Sequence, residues 1–140
     1  MNFAWVSTSG VPITPIVRSV SCQGGTPHAT KKWRDAASRH FFIACGVPPW
    51  HETERTTGII GTPLVDTHAK FIKTASYGDV LQIHTSIAEW RGKSFVQHYR
   101  VTRDEDVIME CDEVRIFAAR RDDGSIRALP IPQEIRKLCE

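Results

Sequence analysis

No aspartate or glutamate occurs before Asp35, so the first quarter of the chain is without a carboxylate. That stretch therefore cannot supply a carboxylate nucleophile or general base. Other absences narrow the function further. The four cysteines, Cys22, Cys45, Cys111 and Cys139, are widely spaced and form no C-x-x-C pair. This argues against a zinc knuckle and a disulfide framework, and for reduced thiols in a cytoplasmic protein. No apolar run approaches the ~20 residues of a membrane span. The first thirty residues have no basic start followed by an apolar core, so no signal peptide is expected. The net charge of +2 is too small to point to nucleic acid or a membrane surface as partner. Among six histidines there is no H-x-x-x-H or H-E-x-x-H spacing. His68, His84 and His98 fall on predicted strands and read as surface residues, so no metal site is expected.

What is present describes a single folded domain. A chain of 140 residues is long enough to bury a core without staples, and 41% apolar with 24% charged residues is ordinary for one. Trp33, Ala36, Ala37, His40, Phe41, Ala44 and Cys45 recur at helical spacing, predicting a helix from about Thr30 to Cys45. Gly46 is a natural C′ residue, and Pro48-Pro49 cannot continue the helix. Beyond Pro49 the pattern turns to strands. Ile59 to Ala75 is rich in β-branched residues and broken by Pro63. Leu81, Ile83 and Ile87 alternate with Gln82, His84 and Ser86, and Arg91-Gly92-Lys93 turns into a strand through Phe95, Tyr99 and Val101. Val107, Met109 and Cys111 are in odd phase but Val114, Ile116 and Ala118 in even phase, predicting a β-bulge between Cys111 and Val114. Asp122-Asp123-Gly124 signals a hairpin returning through Ile126 to Leu129, and Pro132 to Cys139 a short last helix. Tyr77 and Trp90 read as packing aromatics. One long helix with an antiparallel meander is an α+β pattern, in which the sheet wraps around the helix.

Several strings carry a more specific signal. They are Trp33-Arg-Asp-Ala-Ala-Ser-Arg39, Cys45-Gly-Val-Pro-Pro-Trp50, Gly61-Thr62-Pro63 and Thr74-Ala-Ser-Tyr77. Glu89-Trp90-Arg91, Lys93-Ser-Phe-Val-Gln97, Asp112-Glu-Val-Arg-Ile-Phe-Ala118 and Arg127-Ala128 follow in order. Together they resemble the 4-hydroxybenzoyl-CoA thioesterase family, in the same order and spacing, over roughly three quarters of the chain. The resemblance implies a hotdog fold, an antiparallel sheet around one long central helix. It also implies hydrolysis of an aromatic acyl-CoA, such as 4-hydroxybenzoyl-CoA, to the free acid and coenzyme A. No cofactor is implied beyond the coenzyme A of the substrate. The active sites would lie at the interfaces of a homodimer or homotetramer, and neither nucleic acid nor membrane is an expected partner.

By the same resemblance, Arg91 and Lys93 clamp the phosphates of coenzyme A by charge-assisted hydrogen bonds. Gly92 stands where the family carries a third cation. Thr62 and Ser94 match polar positions of the substrate site, and Asp35 matches a carboxylate at the far end of the acyl pocket. On the residues alone, each has a plainer reading: a solvated hairpin tip, exposed strand hydroxyls, and a first-turn aspartate favouring the helix dipole.

The match fails at the front. The family carries an Asp-Pro-x-Gly loop whose catalytic aspartate aligns with Val20, leaving the catalytic residue of this chain unknown. Two explanations stand. The divergence is real, giving a non-catalytic hotdog protein that binds acyl-CoA, an assembly partner, or a recruited nucleophile such as Cys22. Otherwise the reading frame is displaced: His28-Ala29-Thr30, read one base earlier, permits Pro-Arg-Tyr, and the family has Pro-x-Tyr there. The chain thus divides into a divergent or frameshifted segment, 1–31, and a hotdog thioesterase-like domain, 32–140, within a single domain overall. A dehydratase of the same fold would need a His–carboxylate motif that is not found.

Overall fold

The computed structural model describes residues 2–6, 14–19, 27–76 and 78–140, and side chains from Trp33 onward. Val20, Cys22 and Tyr77 lie outside the described residues.

Helix α1 spans Pro27–Ala44, and the Cys45 amide still bonds the Phe41 carbonyl at 3.0 Å. Gly46, at φ 94°, closes the helix as expected. Its amide bonds Ile43 and the Val47 amide bonds Phe42, the paired contacts of a Schellman end. A second helix, α2 (Trp50–Thr57), follows Pro49 and stops at Gly58, which is left-handed at φ 80°. The sequence reading placed no helix there, because seven of its eight residues are polar and show no apolar stripe.

The strands are β1 (Asn2–Val6), β2 (Thr14–Ser19), β3 (Ile59–Gly61), β4 (Leu64–Phe71), β5 (Leu81–Trp90), β6 (Phe95–Arg103), β7 (Asp106–Arg115), β8 (Phe117–Arg120) and β9 (Ile126–Leu129). A last helix, α3, covers Gln133–Leu138. Six strands form one antiparallel sheet in the order β1-β2-β5-β6-β7-β4, and β3-β8-β9 form a second. This is the α+β, hotdog-type arrangement expected.

Two details correct the sequence reading. The expected bulge between Cys111 and Val114 is absent: β7 pairs with β6 in unbroken register from Met109 to Arg115. The register shift lies instead between Val101 and Thr102. The inward phase of β7 never flips. Met109, Cys111, Glu113 and Arg115 are all buried, and the chain leaves the sheet at Ile116. Apolarity misled because the last two inward residues are charged.

The buried face of α1 is also displaced from the expected stripe. Trp33, Ala37 and Phe41 are buried as predicted, but so are Arg34, Ser38 and Phe42, while His40 and Ala44 are only half-buried. The helix therefore faces the sheet along two adjacent i, i+4 rows, one of them largely polar.

Two apolar clusters flank this polar centre. Trp33 and Ala37 pack with Leu81, Ile83, Tyr99, Val101 and Met109. Phe41 and Phe42 pack with Val47, Ile59, Phe95, Phe117 and Ile135. Phe42 meets the Phe95 and Phe117 rings edge-on, with centroids 5.6 and 5.7 Å away.

Candidate active site

Between the two clusters lies a run of four alternating charges. Arg34 Nε donates to Glu113 at 2.7 Å, and Arg115 donates to Glu113 at 2.9 and 2.6 Å. Arg115 Nη2 then reaches Asp35 Oδ1 at 2.7 Å. Arg34 and Asp35 come from the middle of α1, and Glu113 and Arg115 from the end of β7, so helix and sheet are joined by charge. The Glu113 side chain is 0% exposed, and those of Arg34 and Arg115 are 6% and 5% exposed. Buried charges of this kind persist only when fully paired. Burial pulls the Arg115 guanidinium down, but the neighbouring Tyr99, Glu113 and Asp35 outweigh it and hold it above its ordinary range.

Neutral contacts extend the same layer. Ser38 Oγ donates to Gln97 Oε1 at 2.8 Å, and Gln97 Nε2 donates to Thr85 Oγ1 at 3.0 Å. Tyr99 lies beside them, close to Ser38, Glu113 and Arg115, but its hydroxyl makes no well-directed hydrogen bond. Burial pushes this phenol up, so it remains a neutral hydroxyl.

Asp35 is the end of the charge run that reaches solvent; its side chain is 40% exposed. It opens into a cleft of about 620 Å³ that Arg39, Trp50, Gly61, Thr62 and Arg115 also line. Arg115 Nη1 donates to the Thr62 carbonyl at 3.0 Å, tying the loop between β3 and β4 to the same guanidinium. Gly61, at φ 147°, sits against the Trp50 indole, where an added Cβ would lie 3.8 Å from the ring. Thr53 Oγ1 donates to the Ile59 carbonyl at 2.8 Å and so anchors α2 beside this wall.

The predicted site residues fall into two groups. Asp35 and Thr62 are brought together on the cleft. Asp35 is the ninth residue of α1 and not in its first turn, so the plainer helix-dipole reading does not apply. Arg91, Lys93 and Ser94 do not line the cleft; they form the turn between β5 and β6. The Arg91 amide bonds the Ser94 carbonyl at 2.8 Å, and Arg91 Nη2 pairs with Glu89 at 3.0 Å. The register ranges Trp90, Phe95, Arg115 and Leu64 across four strands. The turn thus lies at the same end of the sheet as the cleft, about 10 Å away at two strand spacings.

Sequence reasoning missed Arg34, Glu113, Arg115, Gln97 and Ser38. A signal was available: charged and amide residues at inward positions of strands and in the buried row of a helix. In the apolar pattern alone it imitates a phase change.

A second pocket, of about 310 Å³, opens beside Trp33, Phe71, Leu81 and Met109, but no carboxylate lines it. Among the described residues, no group of three or more His, Cys, Asp or Glu is placed to hold a metal ion. His98 Nδ1 lies 2.8 Å from Asp112 on the exposed sheet face, and this pair is part of no such group. No helix is long and apolar enough to cross a membrane among the described residues.

Comparison with known proteins agrees with this fold. Residues 29–138 match the family profile described as Thioesterase-like superfamily. The chain is 49% identical over 113 residues to 4-hydroxybenzoyl-CoA thioesterase from Pseudomonas sp. strain CBS-3, covering 77% of this chain and 79% of the relative. The solved structure of the enzyme from that strain superposes with a TM-score of 0.83 at 40% identity, over 90% of this chain and 99% of that one. A mutant of 4-hydroxybenzoyl-CoA thioesterase, solved in complex with 4-hydroxybenzoyl-CoA, aligns with the same TM-score and identity. A 1,4-dihydroxy-2-naphthoyl-CoA thioesterase from Synechocystis shares the fold, at a TM-score of 0.72 and 14% identity, over 90% of this chain and 95% of that one. By profile, sequence identity and fold alike, this chain belongs to the hotdog-fold 4-hydroxybenzoyl-CoA thioesterase family.

Proposed function

We propose that the chain is built to take an aromatic acyl-CoA, 4-hydroxybenzoyl-CoA foremost, and to split its thioester with water into the free acid and coenzyme A. The observation that carries this reading is the Asp35 carboxylate, held by Arg115 at the cleft beside Thr62. An ionised carboxylate accepts a phenolic hydrogen bond strongly, and the Arg115 contact fixes which oxygen faces the ring. Trp50 supplies an apolar wall for the ring, and Thr62 a second polar contact. The Arg91 and Lys93 cations, with Ser94 beside them, receive the phosphates of coenzyme A about 10 Å away along the sheet end. The working unit is a homodimer or homotetramer in the cytoplasm. Water is the only co-reactant, so no cofactor is required.

Turnover is the weak point. The position aligned with the family's catalytic aspartate is Val20, which can neither attack a thioester nor activate water. Loss of such a group removes several orders of magnitude in rate. The chain as it stands should therefore bind acyl-CoA and hydrolyse it poorly. The second reading, a non-catalytic acyl-CoA-binding protein, rests on the same missing carboxylate.

Hydrolysis of 4-hydroxybenzoyl-CoA by this chain, beside a variant with an Asp-Pro-x-Gly loop restored before α1, separates the readings. Activity only in the restored protein identifies a thioesterase with a damaged front. Substantial activity in the unaltered chain would refute the assignment to position 20 and direct the search to Cys22 or Asp35. No activity in either favours the binding protein. Resequencing the gene tests the displaced frame for residues 1–31, and a read without an insertion or deletion eliminates it.

A further inference from the structure

The polar layer and cleft leave one reactive pair unused. Cys45 directly follows α1, and Cys139 caps the C-terminus of α3, near the end of the chain. Both are half-buried and pack against the same cluster around Phe41, Phe42, Ile131 and Ile135. Their neighbours also converge: a Cβ at Gly46 would lie 3.9 Å from Leu138 Cδ2. The two thiols lie near enough that each shifts the acidity of the other. Both are free thiols.

We propose that Cys45 and Cys139 form a redox-active dithiol, which a low-molecular-weight disulfide oxidises to a cross-link between the end of α1 and α3. The inference is independent of the proposed thioesterase activity. Cys45 attacks first. The contact with Cys139 lowers the Cys45 thiol, against a smaller opposing effect of burial, while the same contact and then burial raise Cys139. The Cys45 thiolate attacks one sulfur of the reagent RSSR and expels RS⁻, leaving a mixed disulfide on Cys45. Cys139 then loses its proton to solvent and attacks Cys45 Sγ, forming the Cys45–Cys139 bond and expelling the second RS⁻. Overall, two protein thiols are oxidised by two electrons and RSSR is reduced to two RSH.

Cys111 provides the contrast. It is buried, with its sulfur 3.4 Å from Thr67 Oγ1, and burial raises its thiol, so it should stay unmodified. The cross-link would close most of the described sequence into one loop. It would also fasten the segment from Cys45 to Trp50, and Trp50 lines the cleft.

The test uses the full reduced chain with Cys22→Ser, treated with glutathione disulfide and mapped by non-reducing peptide mass spectrometry. The expected product is a Cys45–Cys139 cross-linked peptide without glutathione on either residue, and a Tm raised by about 10 °C, as closing a long loop would produce. With Cys139→Ser added, which keeps a hydroxyl beside Cys45, a stable glutathione adduct should accumulate on Cys45. Separate adducts on Cys45 and Cys139 without a cross-linked peptide would overturn the proposal, as would no reaction at either. These readouts are masses and unfolding temperatures, so absence of thioesterase activity leaves them interpretable.

Discussion

Arg115 and Asp35 meet with Nη2 2.7 Å from Oδ1, although 80 residues separate them in the chain. The contact runs from a guanidinium that is 5% exposed to a carboxylate that is 40% exposed, carrying the charge order of the interior out to the cleft. What the cleft can recognise therefore depends on how its buried side is paired.

Asp35→Ala should separate recognition from stability. Arg115 keeps both contacts to Glu113, and the lost pair is partly solvent-screened, so destabilisation should stay below about 1 kcal/mol. Calorimetry should show 4-hydroxybenzoyl-CoA losing about tenfold in affinity, as for one hydrogen bond to a charged group, and benzoyl-CoA losing little. An equal loss for both ligands would remove Asp35 from ring-hydroxyl recognition.

Glu113→Gln should behave in the opposite way. The residue touches no solvent, yet it pairs with Arg34 and Arg115 together. Removing its charge takes an ionised partner from both buried cations, although Arg115 keeps Asp35, at a cost of about 3–5 kcal/mol. Urea unfolding measures this directly. A change under about 1 kcal/mol would mean that the run of charges contributes little to holding α1 on β7.

The turn between β5 and β6 is tested by Arg91→Ala combined with Lys93→Ala. Affinity for the acyl-CoA should fall about tenfold at low salt and by less at high salt, as expected for exposed charge-assisted contacts. A thioester of the same acyl group on a short uncharged thiol should bind the variant and the parent alike. Equal weakening of both thioesters would place the effect on the fold and not on phosphate binding.

Acid should weaken the fold above the range where carboxylates titrate. Burial and then Arg100 lower the His84 imidazole, and burial and then Arg39 lower His40. As pH falls below about 6.5, the unfolded chain takes up these protons before the folded one does. Their contribution to stability is thus present above pH ~6.5 and is lost below it. The Tm should decline between pH 7.5 and 5.5, and less steeply in His84→Gln. Identical slopes would show that His84 has no part in the decline.

Much of the architecture could be read from residue pattern. Trp33, Ala37 and Phe41 recur at the spacing of a buried helix face, Gly46 and Pro48-Pro49 end that helix, and Asp122-Asp123-Gly124 turns β8 into β9. These are local properties, in which side-chain period and backbone preference act within a few residues. The family was legible for a similar reason, since its motifs lie in order along the chain, and so was the missing carboxylate before Asp35. The polar layer was not legible. Arg34, Ser38, Gln97, Glu113 and Arg115 look like surface residues in sequence, because their partners lie up to 80 positions away. Only when α1 is laid across β6 and β7 do these groups find one another, and only then is burying them tolerable. Composition and period determined that a helix would cover a sheet. Tertiary contact decided that the covered surface would carry paired charges, and that Asp35 would end them at the cleft.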